Sequence, residues 1–326
     1  MRPFLAALAL GTVLAGPAGA DPIEPAAVAA AVESVVVVLP RWQGVRPGMA
    51  PRTADQRIAP EGSGVAVLPG GYIATNDHVL GDAVEVKVRL RDGRLLPARI
   101  TGRHKATDIA LLKVDADLPV PAPADEPRVA EPVCAIGNPF GRGLSVSCGV
   151  VSATGRANAG FNAIEDFVQT DAAVNPGGSG GALVDGKGRL VGLVSAIFAA
   201  GGGSGADTNI GVNFAAARRL VMRVAEDLVD DGKVTETDLG LEAGGLTTEQ
   251  AARGGGAAVA RIGKDGPAFK AGIEAGDVII AVNGMAVMSP DQFRARAFLA
   301  RPGEPIILTL RRGGRTEQVT VTAAAK

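Results

Sequence analysis

The feature that most constrains this chain is a glycine-rich segment, residues 175–183, with Ser179 at its centre. Upstream of it, His78 follows a short apolar run and Asp108 precedes a strongly apolar one. A hydroxyl nucleophile, a base and a carboxylate that orients the base are the groups that acyl transfer to water needs. Glycines permit a turn tight enough to point backbone N–H groups together at a developing oxyanion. The sequence therefore predicts a fold that brings these three distant side chains to one site.

Phosphate binding is the alternative function of a glycine-rich loop. No Gly-Lys-Ser/Thr follows Gly181, and no Gly-x-Gly-x-x-Gly opens a nucleotide-binding helix, which excludes nucleotide binding. A lone serine in a glycine-rich turn is usually only a turn. The combination with His78 and Asp108, in the chymotrypsin-type order His, Asp, Ser, is far more specific.

Five segments resemble the HtrA/Deg family over nearly the whole mature chain: residues 62–65, 71–79, 107–114, 135–141 and 166–177. The resemblance implies a mostly β fold, a chymotrypsin-like double β-barrel followed by one C-terminal PDZ domain of α+β type. It also implies a serine endopeptidase of the cell envelope that acts in protein quality control, works without a cofactor or metal, and assembles as a homotrimer.

Within this resemblance, His78 is the base, Asp108 orients it and Ser179 is the nucleophile. Asp77 and Asp171 are the competing acids and rank below Asp108. The oxyanion hole is expected from the N–H groups of Gly177 and Ser179, with Gly178 allowing the turn between them. Many relatives carry Asn at the position of Gly178, and glycine adds backbone freedom there. The other histidine, His104, is expected to be an ordinary surface or hydrogen-bonded residue.

The specificity pocket is expected to have Ala173 at its base, six residues before Ser179, where trypsin-like digestive enzymes place an acid. Its wall is predicted from the strand at 209–214, with Gly211, Val212 and Asn213, and Asn213 replaces a small residue of the relatives. A cationic P1 residue would lack a partner in such a pocket, which favours small or medium aliphatic residues.

Three segments are candidates for regulation. Arg156 matches the arginine that opens the family's sensor loop, although an ordinary solvated turn arginine is an equally good interpretation; residues 161–166 would then be the movable part. The glycine-rich run 201–205 is predicted to be a mobile loop beside the pocket. The PDZ carboxylate-binding loop is expected at Asp238, Leu239, Gly240 and Leu241, where an inward-pointing Asp238 would oppose a peptide carboxylate.

The chain begins with a pattern typical of a secretory signal, residues 1–20, which places the mature protein in the periplasm or outside the cell. An uncleaved membrane anchor is the alternative. The remaining 32 basic and 34 acidic residues give a net charge of −2, so nothing indicates nucleic-acid binding. Cys134 and Cys148 flank a Pro/Gly-rich turn and are expected to form a disulfide rather than a metal site.

The predicted organisation is a protease domain at 21–215, a connecting helix at 216–232 and a PDZ domain at 233–326. The segment 40–61 is predicted to be a long surface loop. Leu220, Val224 and Leu228 recur at helical spacing, and Gly232 ends the helix. A capping box at residues 289–292 is expected to begin a helix that runs to about residue 300.

These patterns predict an exported serine endopeptidase that cleaves unfolded or exposed polypeptides, with C-terminal peptides bound at the PDZ domain. A peptide-binding chaperone or scaffold with a latent protease domain is the alternative from a different functional class.

Overall fold

A computed structural model describes residues 22–43, 61–199 and 209–326, without the side chains of 196–199 and 209–210. The expected signal segment, most of the loop predicted at 40–61, and the glycine-rich run 201–205 lie outside the described residues. Among the described residues, no helix is long and apolar enough to cross a membrane.

The first barrel begins after helix α1 (Pro25–Ala31) and a 3₁₀ turn (Val32–Ser34). Its strands are β1 (Val35–Arg41), β2 (Gly62–Leu68), β3 (Tyr72–Asn76), β4 (Glu85–Arg89), β5 (Leu95–His104) and β6 (Ile109–Lys113), with the short helix α2 (Asp77–Leu80) after β3 and a 3₁₀ turn (Lys105–Thr107) before β6. They close in the order β1-β2-β3-β6-β5-β4. Pro40 and Arg41 belong to β1 rather than to the predicted loop, because they pair with Val86 and Glu85.

The second barrel is built in the same way. Its strands are β7 (Pro132–Gly137), β8 (Ser145–Arg156), β9 (Phe167–Thr170), β10 (Ala182–Asp185), β11 (Leu190–Ala199) and β12 (Asn209–Ala217), with a 3₁₀ turn (Pro139–Gly141) between β7 and β8. They close in the order β10-β11-β12-β9-β8-β7. Cys134 and Cys148 lie directly opposite each other on β7 and β8 and form a disulfide. The predicted double β-barrel is confirmed.

Helix α3 (Arg218–Asp230) follows β12 without an intervening residue. Leu220, Val224 and Leu228 are fully buried, as their spacing predicts. A Cβ on Gly102 of β5 would lie 2.6 Å from the Leu228 side chain, so the helix packs closely on the first barrel. Gly232, with φ +69°, ends the helix in the left-handed region.

The C-terminal domain is a PDZ-type sheet with helices. Its strands are β13 (Thr237–Asp238), β14 (Leu241–Gly244), β15 (Ala257–Ile262), β16 (Val278–Val282), β17 (Met285–Ala286), β18 (Pro305–Arg312), β19 (Arg315–Thr322) and β20 (Ala324–Ala325), and its helices are α4 (Thr248–Ala251), α5 (Pro267–Lys270) and α6 (Pro290–Phe298). The main sheet has the order β14-β15-β16-β18-β19, so β14 is an edge strand. The core beneath it includes Ile279, Phe293 and Leu308.

The N-terminus of α6 differs from the predicted capping box. Ser289 Oγ accepts the N–H of Gln292 at 3.2 Å, as expected. The Gln292 side chain does not complete the box, because its Oε1 accepts the N–H of Met288 and its Nε2 donates to the carbonyl of Gly155. The accepting half of the cap is therefore shifted by one residue, from Ser289 to Met288, while the Gln292 Nε2 makes a separate contact with the second barrel.

Candidate active site

His78 and Asp108 meet because the strands that carry them are neighbours. Asn76 at the end of β3 pairs with Ile109 at the start of β6, so the residues that follow and precede them lie side by side. His78 Nδ1 is 2.7 Å from Asp108 Oδ2, and the His78 N–H donates to Asp108 Oδ1 at 2.8 Å. The Asp108 side chain is 13% exposed and that of His78 53%. Asp108 thus fixes both the ring and the backbone of a base that stays accessible.

The two competing acids have other partners. Asp77 is paired with Arg103, and Asp171 accepts the N–H of Val150 at 2.7 Å. Among the described residues, Asp108 is therefore the carboxylate that contacts the His78 ring.

Ser179 joins this pair through a shared neighbour, Ser195 on β11. Asn76 Nδ2 donates to the Asp108 carbonyl at 3.0 Å and to Ser195 Oγ at 3.2 Å. The Ser179 hydroxyl donates to the Ser195 carbonyl at 3.3 Å. Within the described residues, no hydrogen bond links Ser179 to His78. The three predicted residues are brought to one site, with the serine hydroxyl held by Ser195.

The loop around Ser179 presents two free backbone donors. The Pro176 carbonyl accepts the N–H of Phe140 at 2.7 Å, and the Gly178 carbonyl accepts that of Gly181 at 3.0 Å. A trans peptide places its N–H opposite its carbonyl. The N–H groups of Gly177 and Ser179 therefore point away from Phe140 and Gly181, the donors that bind these two carbonyls. Neither donates to any acceptor among the described residues. Such a pair can stabilise an oxyanion.

The expected role of Gly178 in this turn was wrong. The positive φ angles belong to Gly177, at +94°, and Gly180, at +85°, whereas Gly178 is not in that region. A Cβ on Gly177 would lie 2.4 Å from the Asn138 carbonyl oxygen, so this position requires glycine. The Gly178 N–H donates to the Asn175 carbonyl at 2.9 Å and is not available to an oxyanion.

The predicted pocket residues divide into two groups. Ala173 is exposed, and Asn213 is buried with its Nδ2 donating to the Ala172 carbonyl at 2.9 Å. Gly211, with φ +79°, lies two residues before Asn213 on the same strand. Val212 packs against the core that contains Phe214, so it does not share the face of Asn213. The Asn213 amide therefore supports the backbone beside Ala173, and Val212 is a partly buried residue that packs against the core.

A cavity of about 560 Å³ lies between β14 and α6 of the PDZ domain and includes Ala106 and Ile164 from the barrels. The expected carboxylate loop borders it through Asp238, Leu239 and Leu241. Asp238 Oδ1 accepts the N–H of Gly240 at 2.7 Å, so the protein's own carboxylate occupies one donor of this loop. A peptide carboxylate would have to displace it.

The segment that contains Arg156 touches the PDZ domain through its backbone. Arg156 Nε donates to Gln169 Oε1 at 3.2 Å, within the second barrel. The preceding carbonyl, of Gly155, accepts Gln292 Nε2 at 2.8 Å, and the Ala163 carbonyl accepts Arg294 Nη1 at 3.3 Å. Both donors lie on α6.

Two acidic residues hold the remainder of this segment. Glu165 is buried and accepts the N–H groups of residues 159–162. Asp166 accepts Arg219 Nε and Nη2 at 2.5 and 2.7 Å, which links the segment to the start of α3. Burial by itself lowers the pKa of Arg219, but the hydrogen bonds and charges of Asp166 and Glu126 outweigh it and raise that pKa.

Two family models match the chain. "Trypsin-like peptidase domain" matches residues 62–193, and "PDZ domain" matches residues 209–323. A solved structure described as the HtrA-type protease AlgW with tripeptide is 35% identical, covers 92% of this chain and 96% of its own, and has a TM-score of 0.69. The chain belongs to the HtrA/Deg family of serine proteases.

Other HtrA/Deg proteins are also similar to most of this chain. The serine endoprotease from Yersinia pestis is 35% identical, covers 92% of this chain and 97% of its own, and has a TM-score of 0.59. A probable periplasmic serine endoprotease, DegP-like, of Brucella suis is 40% identical over 285 residues, 84% of this chain and 54% of the relative. The periplasmic pH-dependent serine endoprotease DegQ of Escherichia coli is 35% identical over 271 residues, 80% and 58% respectively. The chain thus spans about half the length of these curated HtrA/Deg relatives.

Several residues of this HtrA/Deg site were missed by sequence reasoning. Ser63, Asn76, Asn138 and Ser195 are all buried and hydrogen-bonded around the three predicted residues. Asn76 had a usable signal, since it is a polar residue at the end of a largely apolar strand, two positions before His78. Ser195 had none, because its contacts join segments that are far apart in the chain.

Proposed function

We propose that this protein is an exported serine endopeptidase that hydrolyses unfolded or exposed envelope polypeptides through an acyl-enzyme on Ser179. The observation that carries the proposal is the pair of free N–H groups, of Gly177 and Ser179, beside a histidine that Asp108 holds at 2.7 Å. Relatives named as periplasmic serine endoproteases support the reaction class and the compartment.

In the proposed mechanism, substrate binding turns the Ser179 hydroxyl from the Ser195 carbonyl towards His78 Nε2. His78 takes the hydroxyl proton as Oγ attacks the scissile carbonyl, and Asp108 stabilises the imidazolium that results. The N–H groups of Gly177 and Ser179 hold the oxyanion. The imidazolium then protonates the leaving amine, and a water deprotonated by His78 hydrolyses the ester, which returns Ser179 to its starting state.

The substrate pocket is proposed to accept small or medium aliphatic P1 residues. Ala173 carries no charge, and the Asn213 amide that adjoins it is turned to the Ala172 carbonyl. Cleavage profiling with a peptide library tests this preference, and a dominant preference for Arg or Lys would contradict it.

The cavity between β14 and α6 is proposed to bind peptide C-termini as an added strand, because β14 is an edge strand with an unpaired side. The apolar side chains of Leu241 and Phe293 line this cavity and suit a hydrophobic peptide. Assembly as a homotrimer is proposed by analogy with the family.

The alternative, a peptide-binding chaperone with a latent protease domain, is favoured by one observation. The Ser179 hydroxyl is bonded to Ser195 rather than to His78. In that case the PDZ cavity would bind peptides while no peptide bond is cleaved.

The replacement Ser179→Ala distinguishes the two. It is expected to abolish cleavage of unfolded casein while folding and peptide binding remain, because one half-exposed hydroxyl contributes little to packing. Ser152→Ala, at an exposed serine on β8, is the matched control and should cleave like the wild type. Retained cleavage in Ser179→Ala would refute the nucleophile, and a wild type that neither cleaves nor reacts with a serine-directed phosphonate probe would favour the chaperone.

A further inference from the structure

Ser63 is a buried polar residue of β2 to which the proposed reaction assigns no role. It lies in the segment Gly62-Ser63-Gly64, and it is fully buried. Its N–H donates to the Ser179 carbonyl at 2.9 Å, and its hydroxyl donates to the Gly177 carbonyl at 2.7 Å. The same hydroxyl accepts the N–H of Asn138 at 2.9 Å. One residue of the first barrel thus binds both residues whose N–H groups form the oxyanion hole.

The hydroxyl fixes a peptide plane that glycine alone leaves free. The plane before Gly177 is held by the bond from Phe140 N–H to the Pro176 carbonyl. The plane after Gly177 is held on both sides, by Ser63 Oγ on the Gly177 carbonyl and by the Gly178 N–H on the Asn175 carbonyl. Because glycine has no Cβ to restrict its dihedral angles, external bonds on both planes are needed to define them. Gly178 follows directly, so this turn has two consecutive residues without a Cβ.

The strand that carries Ser63 is pressed closely against the rest of the site. A Cβ on Gly62 would lie 2.4 Å from Val79 Cγ1, next to His78, and a Cβ on Gly64 would lie 2.7 Å from Ile73 Cγ2. The approach to the Ser179 loop itself depends on glycines of the second barrel: a Cβ on Gly180 would lie 2.1 Å from the Ser63 carbonyl oxygen, and one on Gly137 would lie 3.1 Å from Ser63 Oγ.

We propose that Ser63 is a positioning residue of the oxyanion hole, which fixes the N–H groups of Gly177 and Ser179 in the direction of the developing charge. This inference rests on the proposed peptidase function. It predicts that loss of the hydroxyl weakens transition-state binding and leaves ground-state substrate binding almost unchanged.

The test is Ser63→Ala in the full chain, assayed with a peptide substrate. We expect kcat to fall about 10- to 100-fold, below the loss that removal of a whole donor causes, with KM within about twofold. The affinity of a peptide boronate, which forms a tetrahedral adduct on Ser179, should fall by the same factor as kcat/KM. The pH profile of kcat/KM should keep its shape, because neither His78 nor Asp108 is touched.

Ser34→Ala is the matched control. Ser34 is also buried, and its hydroxyl donates to the Ala31 carbonyl at 2.6 Å; among the described residues its side chain makes no hydrogen bond to the loop of Ser179. It should lose comparable thermal stability and keep kcat. Equal kcat losses in Ser63→Ala and Ser34→Ala would show a purely structural effect and overturn the proposal. An unchanged kcat in Ser63→Ala would also overturn it.

Should Ser63→Ala fail to fold, Ser63→Cys carries the test, because a thiol has similar shape and is a weaker donor. An intermediate kcat is expected, and wild-type kcat in a folded Ser63→Cys protein would overturn the proposal. Failure of the wild type itself to cleave or to react with the boronate would instead refute the peptidase function.

Discussion

His104, the second of the two histidines, lies where the first barrel meets the PDZ domain. Its ring stacks on Phe298 of α6 with centroids 5.4 Å apart, and its Nδ1 is 2.9 Å from Thr107 Oγ1. Burial lowers the pKa of His104, and the nearby Arg223 adds to this, while the carboxylates of Glu236 and Asp227 oppose it. The folded protein therefore favours the neutral ring at this contact.

This residue predicts a pH dependence of stability. Because the folded pKa lies below the ordinary value of 6.5, the unfolded chain binds the proton more readily. The stability due to the neutral ring is fully present above that value and is lost as the pH falls through the folded pKa. Between pH 8 and about 5, the melting temperature should fall more steeply with decreasing pH for the wild type than for His104→Asn. The exposed His78→Asn is the control, and parallel declines in wild type and His104→Asn would contradict the prediction.

Single residues also show how far sequence reasoning reaches. His78, Asp108 and Ser179 could be assigned because each lies in a segment with a chemical signature. Ser63 could not be assigned a role, because its partners are backbone carbonyl and N–H groups, which carry no sequence signature. The role given to Gly178 was wrong for a related reason, since a run of glycines does not tell which of them has the positive φ.

Helix α6 contacts both the second barrel and the cavity that it forms with β14. Phe293 and Ala297 line the cavity, while Gln292 and Arg294 of the same helix donate to carbonyls of the Arg156 segment. A ligand that shifts the helix therefore acts on these two hydrogen bonds. The sequence predicted the helix and the Ser289 cap, but not that Gln292 would bond Met288 at the helix start and Gly155 of another domain.

Removal of this contact should weaken communication between the domains. We expect a hydrophobic C-terminal peptide to raise the cleavage rate, and Gln292→Ala to reduce that rise about fivefold, the effect of one hydrogen bond of roughly 1 kcal/mol. Peptide affinity should change less than twofold. Arg156→Ala should have the smaller effect, because its side chain bonds within its own barrel. The cleavage rate is measured against peptide concentration for the wild type, Gln292→Ala and Arg156→Ala. Equal stimulation of all three would refute the role of Gln292.

Over the whole molecule, buried charges join the connecting helix to the PDZ domain. Arg223 of α3 is 4% exposed, pairs with Asp227, and lies 5.4 Å from the Phe298 ring. Asp227 also accepts Arg301 Nε of the PDZ domain at 2.9 Å. The connecting helix was predictable from the change in hydrophobic period, and the order of the domains from the family resemblance. This ionic contact was not, because long-range partners of arginines are not encoded locally.

Asp227→Ala should therefore destabilise the junction strongly. It leaves the Arg223 charge buried without its carboxylate, which costs about 3–5 kcal/mol. Calorimetry should show the PDZ domain unfolding earlier, separated from the barrels. Glu226→Ala is the matched control, since its half-exposed carboxylate also binds Arg301, at 2.8 Å, and should cost less than about 1 kcal/mol. Similar losses in both variants would contradict the prediction.

Helix α3 follows β12 directly, and this limits where the PDZ domain can be exchanged in a chimera. Each residue inserted between Ala217 and Arg218 would rotate the helix by about 100° and turn Leu220 away from the barrel. The PDZ match begins at residue 209, on an interior strand of the second barrel, so a chimera cut there would break that barrel. A cut after Gly232 keeps the helical phase, and a PDZ domain joined there would also need the counterparts of Arg301 and Phe298, through which this one contacts Asp227 and Arg223.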